Sequence, residues 1–312
     1  MERSDKQFLI IAGVNKAATT SLFMYLSIHP EICPSRVKET QYFLPLRYGI
    51  EELEPINKYL DYFSHCNQAR YFLEATPGYY YGGRRVAQTI KNMLGPTRII
   101  LMFRDPIDRM FSFFKFRKSM LELDRSLTFD QYVILCESLP PVERIKRENN
   151  AFWGIEGGFY SKYLLDWLDV FGEDQVRIFF FENFIKDPKS VLLSICHWLD
   201  IEYDKYLREL ILSVENRTIN YKNYYIQKLA LILNWQLEAF WRQHPLIKRT
   251  LRKMYYFFNG SKSDDSISPE ARKHLEAVFH PYNKDLVKVL IKLGIRDLPN
   301  WLENELMHES MN

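Results

Sequence analysis

The sequence lacks the long apolar segment that a membrane-spanning or secreted protein would carry. Its longest purely apolar stretch toward the C-terminal half, 229–233, is far too short to cross a bilayer. The first apolar segment follows within a few residues of Met1, which leaves no room for a signal peptide or a signal anchor. We therefore expect a cytoplasmic protein without an integral membrane segment.

The sequence also has little excess charge and few cysteines. A formal net charge of +3 is too small to favour a nucleic-acid-binding protein, so no nucleic-acid partner is predicted. The four cysteines, Cys33, Cys66, Cys136 and Cys196, form no C-x-x-C pair and show no metal-ligand spacing with the histidines. Buried reduced thiols are the expected state of all four, and no metal is predicted.

What the chain does contain is enough apolar material for one large domain covering residues 1–312. The hydrophobic fraction is 47%, and four apolar segments predict parallel strands that are covered on both faces. These strands are expected near 8–14, 71–75, 98–103 and 176–181. Because helical patterns lie between them, the predicted fold class is α/β, a three-layer sandwich with a central parallel sheet flanked by helices.

The segment 8–30 predicts an anion-binding loop. An apolar strand is followed by Gly13 and Lys16, and then by a helix that begins on the three hydroxyl residues 19–21. Anions bind at helix starts because the first N–H groups have no acceptor within the helix. The pattern G-x-x-x-x-G-K-[ST] places its lysine directly before the hydroxyl, whereas Lys16 precedes the hydroxyls by three residues. The expected ligand is thus anionic but not a metal-bound triphosphate; an ordinary turn with an exposed lysine is the alternative.

A second basic group follows the third predicted strand. Arg104 stands at the end of this strand, and Asp105 and Pro106 predict a helix start directly after it. Ligands of open α/β sheets bind at the carboxyl edge, where both Arg104 and Lys16 are then expected. The alternative is that Arg104 and Arg109 only form helix-end ion pairs with nearby aspartates.

Together the two segments resemble the paired signatures of sulfotransferases that use 3′-phosphoadenosine 5′-phosphosulfate (PAPS). GVNKAATTSL is similar to the 5′-phosphosulfate loop of that family, and FRDPIDRMFSFF is similar to its 3′-phosphate segment. ETQYF at 39–43, FLEATPGY at 72–79 and GGFY at 157–160 resemble elements of the heparan sulfate N- and O-sulfotransferases. The resemblance implies a P-loop-like fold, PAPS as donor cosubstrate and adenosine 3′,5′-bisphosphate (PAP) as product.

The resemblance also implies roles for single residues. Lys16 would stabilise the departing phosphate, and Glu39 would act as the general base, so both are predicted to be catalytic. Arg104 and Ser112 would hold the 3′-phosphate. The predicted cofactor-binding residues are Asn15, Lys16, Ala17, Ala18, Thr19, Thr20, Ser21, Arg104, Ser112, Tyr160 and Arg217.

The surroundings of Glu39 lead to a further expectation. Tyr42 and Phe43 are expected to reduce its solvation and raise its pKa toward a useful value. The alternative is that Glu39 is a surface residue in the polar run 35–39. His29 is the second candidate base, although its position at a helix end favours a capping or packing role. 

Two departures from the heparan enzymes limit the transfer of roles. Ala75 stands where they have a lysine, and their late basic glycine loop is replaced by 216–222. The helical segment 222–260 that follows is predicted to be an acceptor lid or a partner surface. A solvated basic helix that packs through its aromatic face is the alternative.

The predicted function is sulfuryl transfer from PAPS to a hydroxyl or amine of a glycan or another sugar-containing acceptor. One alternative is a sulfotransferase of a small cytoplasmic natural product, such as an alkaloid. Another is a protein of a different class, either a non-catalytic nucleotide-binding protein or a P-loop kinase that uses ATP and Mg²⁺. A homo-oligomer is compatible with the sequence, which contains no signal for oligomeric state.

Overall fold

The computed structural model of the protein describes residues 7–204, 206, 220–237, 240–241, 245–261 and 264–309. The chain divides into two compact units. The first unit consists of Met1–Arg109, Gly157–Asn216 and Leu275–Asn312. The second unit consists of Met110–Glu156 and Arg217–His274.

A five-stranded parallel sheet forms the centre of the first unit, in the order β2-β3-β1-β4-β5. The strands are β1 (Gln7–Gly13), β2 (Ile32–Pro34), β3 (Tyr71–Ala75), β4 (Thr97–Phe103) and β5 (Val176–Phe180). The four predicted strands and the central parallel sheet are confirmed. The short edge strand β2 was not predicted, because three residues that end in a proline carry no recognisable period.

Helices of the first unit lie between and after these strands, and further helices make up most of the second unit. They are α1 (Thr19–Leu26), α2 (Leu44–Arg47), α3 (Ile56–Leu60), α4 (Gly83–Leu94), α5 (Pro106–Ser119), α6 (Phe129–Ser138), α7 (Pro141–Arg144), α8 (Ser161–Phe171), α9 (Phe181–Lys186), α10 (Pro188–Leu199), α11 (Tyr224–Gln236), α12 (Pro245–Asn259), α13 (Pro269–Lys292) and α14 (Asn300–Glu309). Among the described helices, none combines the length and the apolar character that a bilayer span requires.

The core of the first unit lies on both faces of the sheet. Leu9, Ile10 and Ile11 of β1 are completely buried, as expected for a strand covered on both sides. At the end of β1 a side chain on Gly13 would place its Cβ 2.6 Å from Cβ of Tyr80. Glycine is therefore required there by the close packing of Tyr80 behind the loop.

The second unit is mainly helical. It contains α6, α7, α11 and α12, and β6 (Asn220–Tyr221) pairs antiparallel with β7 (Gly260–Ser261). Thr128 accepts a hydrogen bond from the Gln131 backbone N–H, while the Gln131 side chain accepts one from the Thr128 N–H, so a capping box begins α6. Lys118 Nζ donates to Asp265 Oδ1 at 2.7 Å in a nearly buried ion pair.

Two of the four cysteines are not the reduced thiols that the sequence predicts. Cys33 on β2 and Cys66 form a disulfide that closes a loop of 33 residues, and His65 Nε2 lies 3.4 Å from Cys33 Sγ. The spacing of these residues has no disulfide or metal signature, so only the fold brings the three side chains together. The sulfurs bonded to each other offer no thiolate to a metal. Cys136 and Cys196 are buried free thiols, as predicted, and burial raises the pKa of each to about 12.

Candidate active site

The predicted anion-binding loop joins β1 to α1 at the carboxyl edge of the sheet. Lys16 and Ala18 adopt left-handed backbone conformations, with φ of 67° and 59°. Alternation of this kind brings successive N–H groups onto one side of a loop, which suits an anion. Ala18 precedes α1 and has no side chain that could cap the first turn, whose N–H groups have no acceptor within the helix. The loop thus has the form that anion binding requires.

Two arginines tie this loop to the segment after β4. Arg104 Nη1 donates to the Lys16 carbonyl oxygen at 3.0 Å, and Arg109 Nη1 donates to Asn15 Oδ1 at 3.0 Å. Arg109 is completely buried. The two motifs that lie far apart in sequence are therefore joined side by side in the structure. The sequence did not lead us to expect that Arg109 supports this loop. The available signal was its position within the second motif, FRDPIDRMFSFF.

The start of α5 positions Arg104 as the sequence predicts. Asp105 Oδ1 accepts hydrogen bonds from the N–H groups of Ile107 and Asp108, at 2.8 and 3.1 Å, and Pro106 is the first helical residue. The cap at Asp105 is confirmed. Because a capped helix start fixes the chain entering it, Arg104 is held at the end of β4.

Arg104 lies half-buried among aromatic and acidic groups. Its guanidinium carbon is 4.2 Å from the ring centroid of Phe181, a cation–π contact. Burial lowers the pKa of the Arg104 guanidinium, while Asp108 and Glu182 act in the opposite direction. An arginine remains charged under such conditions. The site therefore holds a permanent, partly desolvated positive charge.

Tyr160 holds the backbone of Arg104 through a hydrogen bond. Its hydroxyl donates to the Arg104 carbonyl oxygen at 2.8 Å, and its ring stacks on Phe103 with 4.7 Å between centroids. Tyr160 is almost completely buried. The structure thus shows a residue that positions Arg104, and direct contact of Tyr160 with a cofactor stays a prediction.

Two further residues, Ser112 and Arg217, are predicted to contact the 3′-phosphate. Ser112 lies half-buried on α5, in the part of that helix that belongs to the second unit. Arg217 lies outside the described residues. Their roles at the 3′-phosphate stay predictions.

Glu39 is not desolvated in the way the sequence suggested. Its side chain is 44% exposed, and Lys38 Nζ donates to Oε1 at 2.5 Å. Tyr42 and Phe43 face inward, where their rings pack against Tyr59 and Tyr79 at centroid distances of 5.2 and 5.7 Å. The expectation of reduced solvation is therefore wrong, while the role of Glu39 as a base stays a prediction.

His29, the second candidate base, has a packing role as expected. It is 1% exposed, and its Nε2 contacts the Glu202 carbonyl oxygen at 2.5 Å. The N–H of Glu31 donates to Nδ1 at 3.1 Å. With both ring nitrogens engaged by backbone groups, His29 holds two chain segments together.

One buried carboxylate, Glu74, was not predicted to be buried or to have a role. Glu74 is the fourth residue of β3 and has no exposed surface. Burial raises its pKa to about 7, and hydrogen bonds from hydroxyl groups lower it only in part. The available signal was an acidic residue inside an otherwise apolar strand, YFLEA.

The helical segment 222–260 contains α11 and α12 and leaves large apolar side chains in solvent. Tyr225 is 79% exposed, Phe257 is 80% exposed and Phe258 is 69% exposed. These three aromatic side chains therefore do not form a packed face, as the alternative of a basic helix packed through its aromatic face would require. The role of the segment as an acceptor lid stays a prediction.

A parallel sheet with a lysine-containing loop and a half-buried arginine at its carboxyl edge defines an α/β protein of the P-loop-like class. The family model described as "Sulfotransferase domain" matches residues 7–230. The chain belongs to the sulfotransferase domain family, so the predicted family and the assignment to the transferases are confirmed.

The chain is similar to curated proteins that are named as sulfotransferases. The chain is 25% identical over 309 residues to bifunctional heparan sulfate N-deacetylase/N-sulfotransferase 4 of Mus musculus, an alignment covering 96% of this chain and 31% of the relative. It is 26% identical over 313 residues to bifunctional heparan sulfate N-deacetylase/N-sulfotransferase 2 of Homo sapiens, covering 98% and 32%. The chain therefore spans about a third of the length of these relatives.

A solved structure supports the fold. The sulfotransferase from Alicyclobacillus acidocaldarius superposes with a TM-score of 0.66 at 21% sequence identity. The superposition covers 94% of this chain and 97% of that one. The predicted α/β, P-loop-like fold class is confirmed.

Proposed function

We propose that this protein transfers a sulfuryl group from PAPS to a hydroxyl or amine of a glycan or another sugar-containing acceptor. The observation that carries the proposal is the hydrogen bond from Arg104 Nη1 to the Lys16 carbonyl oxygen, 3.0 Å long. It joins the two predicted anion-binding segments at one edge of the sheet. Family membership supports sulfuryl transfer, and the names of the relatives support heparan sulfate as the type of acceptor.

The residues present fit a donor with two separate anionic ends. The left-handed backbone at Lys16 and Ala18 and the uncapped start of α1 suit a 5′-phosphosulfate. Arg104 offers a planar fork of donors, which suits a further phosphate. When bound, PAPS supplies an activated sulfuryl group and a phosphate leaving group.

The chemistry assigns one task to each catalytic residue. Sulfuryl transfer resembles phosphoryl transfer, in which a loose in-line transition state spreads charge onto the leaving group. Lys16 neutralises the charge that develops on the departing phosphate. Glu39 takes the proton from the attacking hydroxyl or amine while the new bond to sulfur forms and the old one breaks. The exposure of Glu39 leaves its carboxylate accessible to an acceptor from solvent.

The cellular location stays a prediction. The sequence led us to expect a cytoplasmic protein. The Cys33–Cys66 disulfide argues against that expectation, because disulfides persist mainly in oxidising compartments.

The test is a transfer assay with labelled PAPS against desulfated glycans and against small hydroxylated or amino metabolites. We expect label on a glycan, and Lys16→Met should abolish the transfer. Label only on small molecules would replace the glycan with a natural-product acceptor. PAP binding without transfer to any acceptor would indicate a non-catalytic nucleotide-binding protein. Tighter binding of ATP and Mg²⁺ than of PAP would favour a kinase.

A further inference from the structure

A buried carboxylate lies behind the loop that carries the proposed base. Glu74 Oε1 accepts hydrogen bonds from Thr76 Oγ1 at 2.5 Å and from Thr40 Oγ1 at 2.9 Å. Glu74 Oε2 accepts a longer one from the Tyr59 hydroxyl, at 3.4 Å. Among the described residues no lysine, arginine or histidine forms an ion pair with Glu74. Within the described part of the chain the carboxylate is therefore held by neutral hydroxyl groups.

Thr76 and a further hydroxyl group of this cluster, that of Tyr79, hold the backbone of the loop 39–43, which we call the base loop. Thr76 Oγ1 accepts a hydrogen bond from the Gln41 N–H at 3.2 Å. The Tyr79 hydroxyl accepts one from the Phe43 N–H at 3.3 Å and lies 3.2 Å from Thr40 Oγ1. Contacts from three residues of the base loop, Thr40, Gln41 and Phe43, therefore lead to the cluster around Glu74.

The base loop needs such support because its backbone is strained. Glu39 and Gln41 adopt φ values of 65° and 57°, on either side of Thr40. A left-handed conformation of a non-glycine residue is unfavourable and persists only where surrounding contacts impose it. Strain of this kind is concentrated at functional sites, and here it occurs at the proposed base itself.

We propose that Glu74 is a positioning residue for sulfuryl transfer, acting through Thr40 and Thr76 to hold the base loop in its strained, reactive conformation. The ionised carboxylate accepts both hydroxyl hydrogens at one oxygen. These charge-assisted hydrogen bonds are stronger than those to a neutral acceptor. The proposal rests on the proposed function, because it assigns the base loop to proton transfer by Glu39.

The state of Glu74 changes near neutral pH. Burial raises the pKa of its carboxyl to about 7. The titratable groups facing it are Tyr59 and Tyr79, whose pKa values burial raises well above the ordinary value, so both stay neutral. Protonation of Glu74 below pH 7 removes the charge that orders Thr40 and Thr76. We therefore expect kcat to fall as the pH drops through about 7.

A matched pair of variants tests the link. Thr40→Val removes the hydroxyl without changing the size of the side chain, and Thr40→Ser keeps the hydroxyl. We expect kcat to fall about 10- to 100-fold in Thr40→Val, since small misplacements of a reacting group have effects of this size. Thr40→Ser should stay within threefold of the wild type. The Kd for PAP, which reports the phosphate loop, should stay within about twofold in both.

Glu74→Gln supplies the second readout. We expect the inflection of kcat near pH 7 to disappear in this variant, while Glu52→Gln, a control at an exposed glutamate, keeps it. Equal kcat values for Thr40→Val and Thr40→Ser, or an unchanged inflection in Glu74→Gln, would overturn the proposal.

Hydrogen exchange separates this proposal from the proposed function. Amides of Gln41 and Phe43 should exchange about tenfold faster in Thr40→Val and in Glu74→Gln than in the wild type, measured at pH 8. If the wild type transfers no sulfate but the exchange rates differ as expected, the proposed function fails and the support of the base loop stands. If transfer occurs and neither the exchange rates nor kcat change, the positioning role is wrong.

Discussion

Replacement of Glu74 by glutamine is expected to stabilise the protein at alkaline pH, although it impairs transfer. The pKa of Glu74 rises from 4.5 to about 7 on folding, so the folded state prefers the protonated carboxyl. The contribution of Glu74 to the free energy of unfolding is fully present below pH 4.5 and is lost as the pH rises through 7. The free energy of unfolding therefore differs by about 3 kcal/mol between pH values below 4.5 and pH values above 7. Glutamine carries no charge and avoids this loss. Its carbonyl oxygen still accepts from the two threonine hydroxyls.

The assay is urea unfolding of the wild type and Glu74→Gln at pH 5 and pH 8, with Glu52→Gln as the exposed control. The free energy of unfolding of Glu74→Gln minus that of the wild type should be about 2–3 kcal/mol larger at pH 8 than at pH 5, which means that the variant is relatively more stable at pH 8. The control should show no such difference. If the stability of Glu74→Gln relative to the wild type is the same at pH 5 and pH 8, ionisation of the Glu74 carboxyl does not destabilise the folded protein. That result would refute the inference that burial raises its pKa.

Three further predictions concern the phosphate loop, Arg104 and the disulfide. Lys16→Ala should lower kcat about 10²- to 10³-fold, measured with saturating PAPS, because a preorganised charge at the leaving group is lost; a change below threefold would contradict its role. Arg104→Ala should weaken PAP binding about 10- to 100-fold in calorimetry through the loss of charge-assisted bonds, and unchanged binding would exclude Arg104 from the phosphate site. The double variant Cys33→Ser/Cys66→Ser should lower the free energy of unfolding by about 4 kcal/mol in urea, since the bridge closes a loop of 33 residues; equal stability in oxidised wild type and variant would count against the bridge.

The sheet and the strand-loop-helix segment at its edge could be predicted because their signals are local; binding of a phosphate by this loop stays a prediction. An uninterrupted apolar strand, the hydroxyl residues after Lys16 and the Asp105-Pro106 helix start each occupy a few adjacent positions. The structure bears out the strand and the helix start, since their causes are hydrogen bonds and burial within the same segment.

The features that sequence reasoning missed depend on contacts between distant segments. Cys33 and Cys66 meet because β2 joins the edge of the sheet, and no spacing rule reports that. Glu39 was expected to be shielded by its aromatic neighbours, yet the left-handed backbone of the base loop leaves it exposed while those rings pack inward. Glu74 is recognisable as special only when Thr40 is seen to reach it from a segment 34 residues away.

The gain in stability and the loss of activity expected for Glu74→Gln have one cause. A buried carboxylate without a cationic partner is costly, and the chain retains it where it orders the base loop. Such a conflict between stability and activity is common at functional sites.

In the proposed mechanism Glu39 takes the proton from the acceptor during sulfuryl transfer from PAPS. The most direct test of this role is the rate of label transfer from PAPS to a desulfated glycan by Glu39→Gln, measured beside PAP binding to the same variant. We predict a loss of about 10²- to 10⁴-fold in kcat with unchanged PAP affinity, the range typical of a general base. A variant that transfers sulfate at the rate of the wild type would contradict the account.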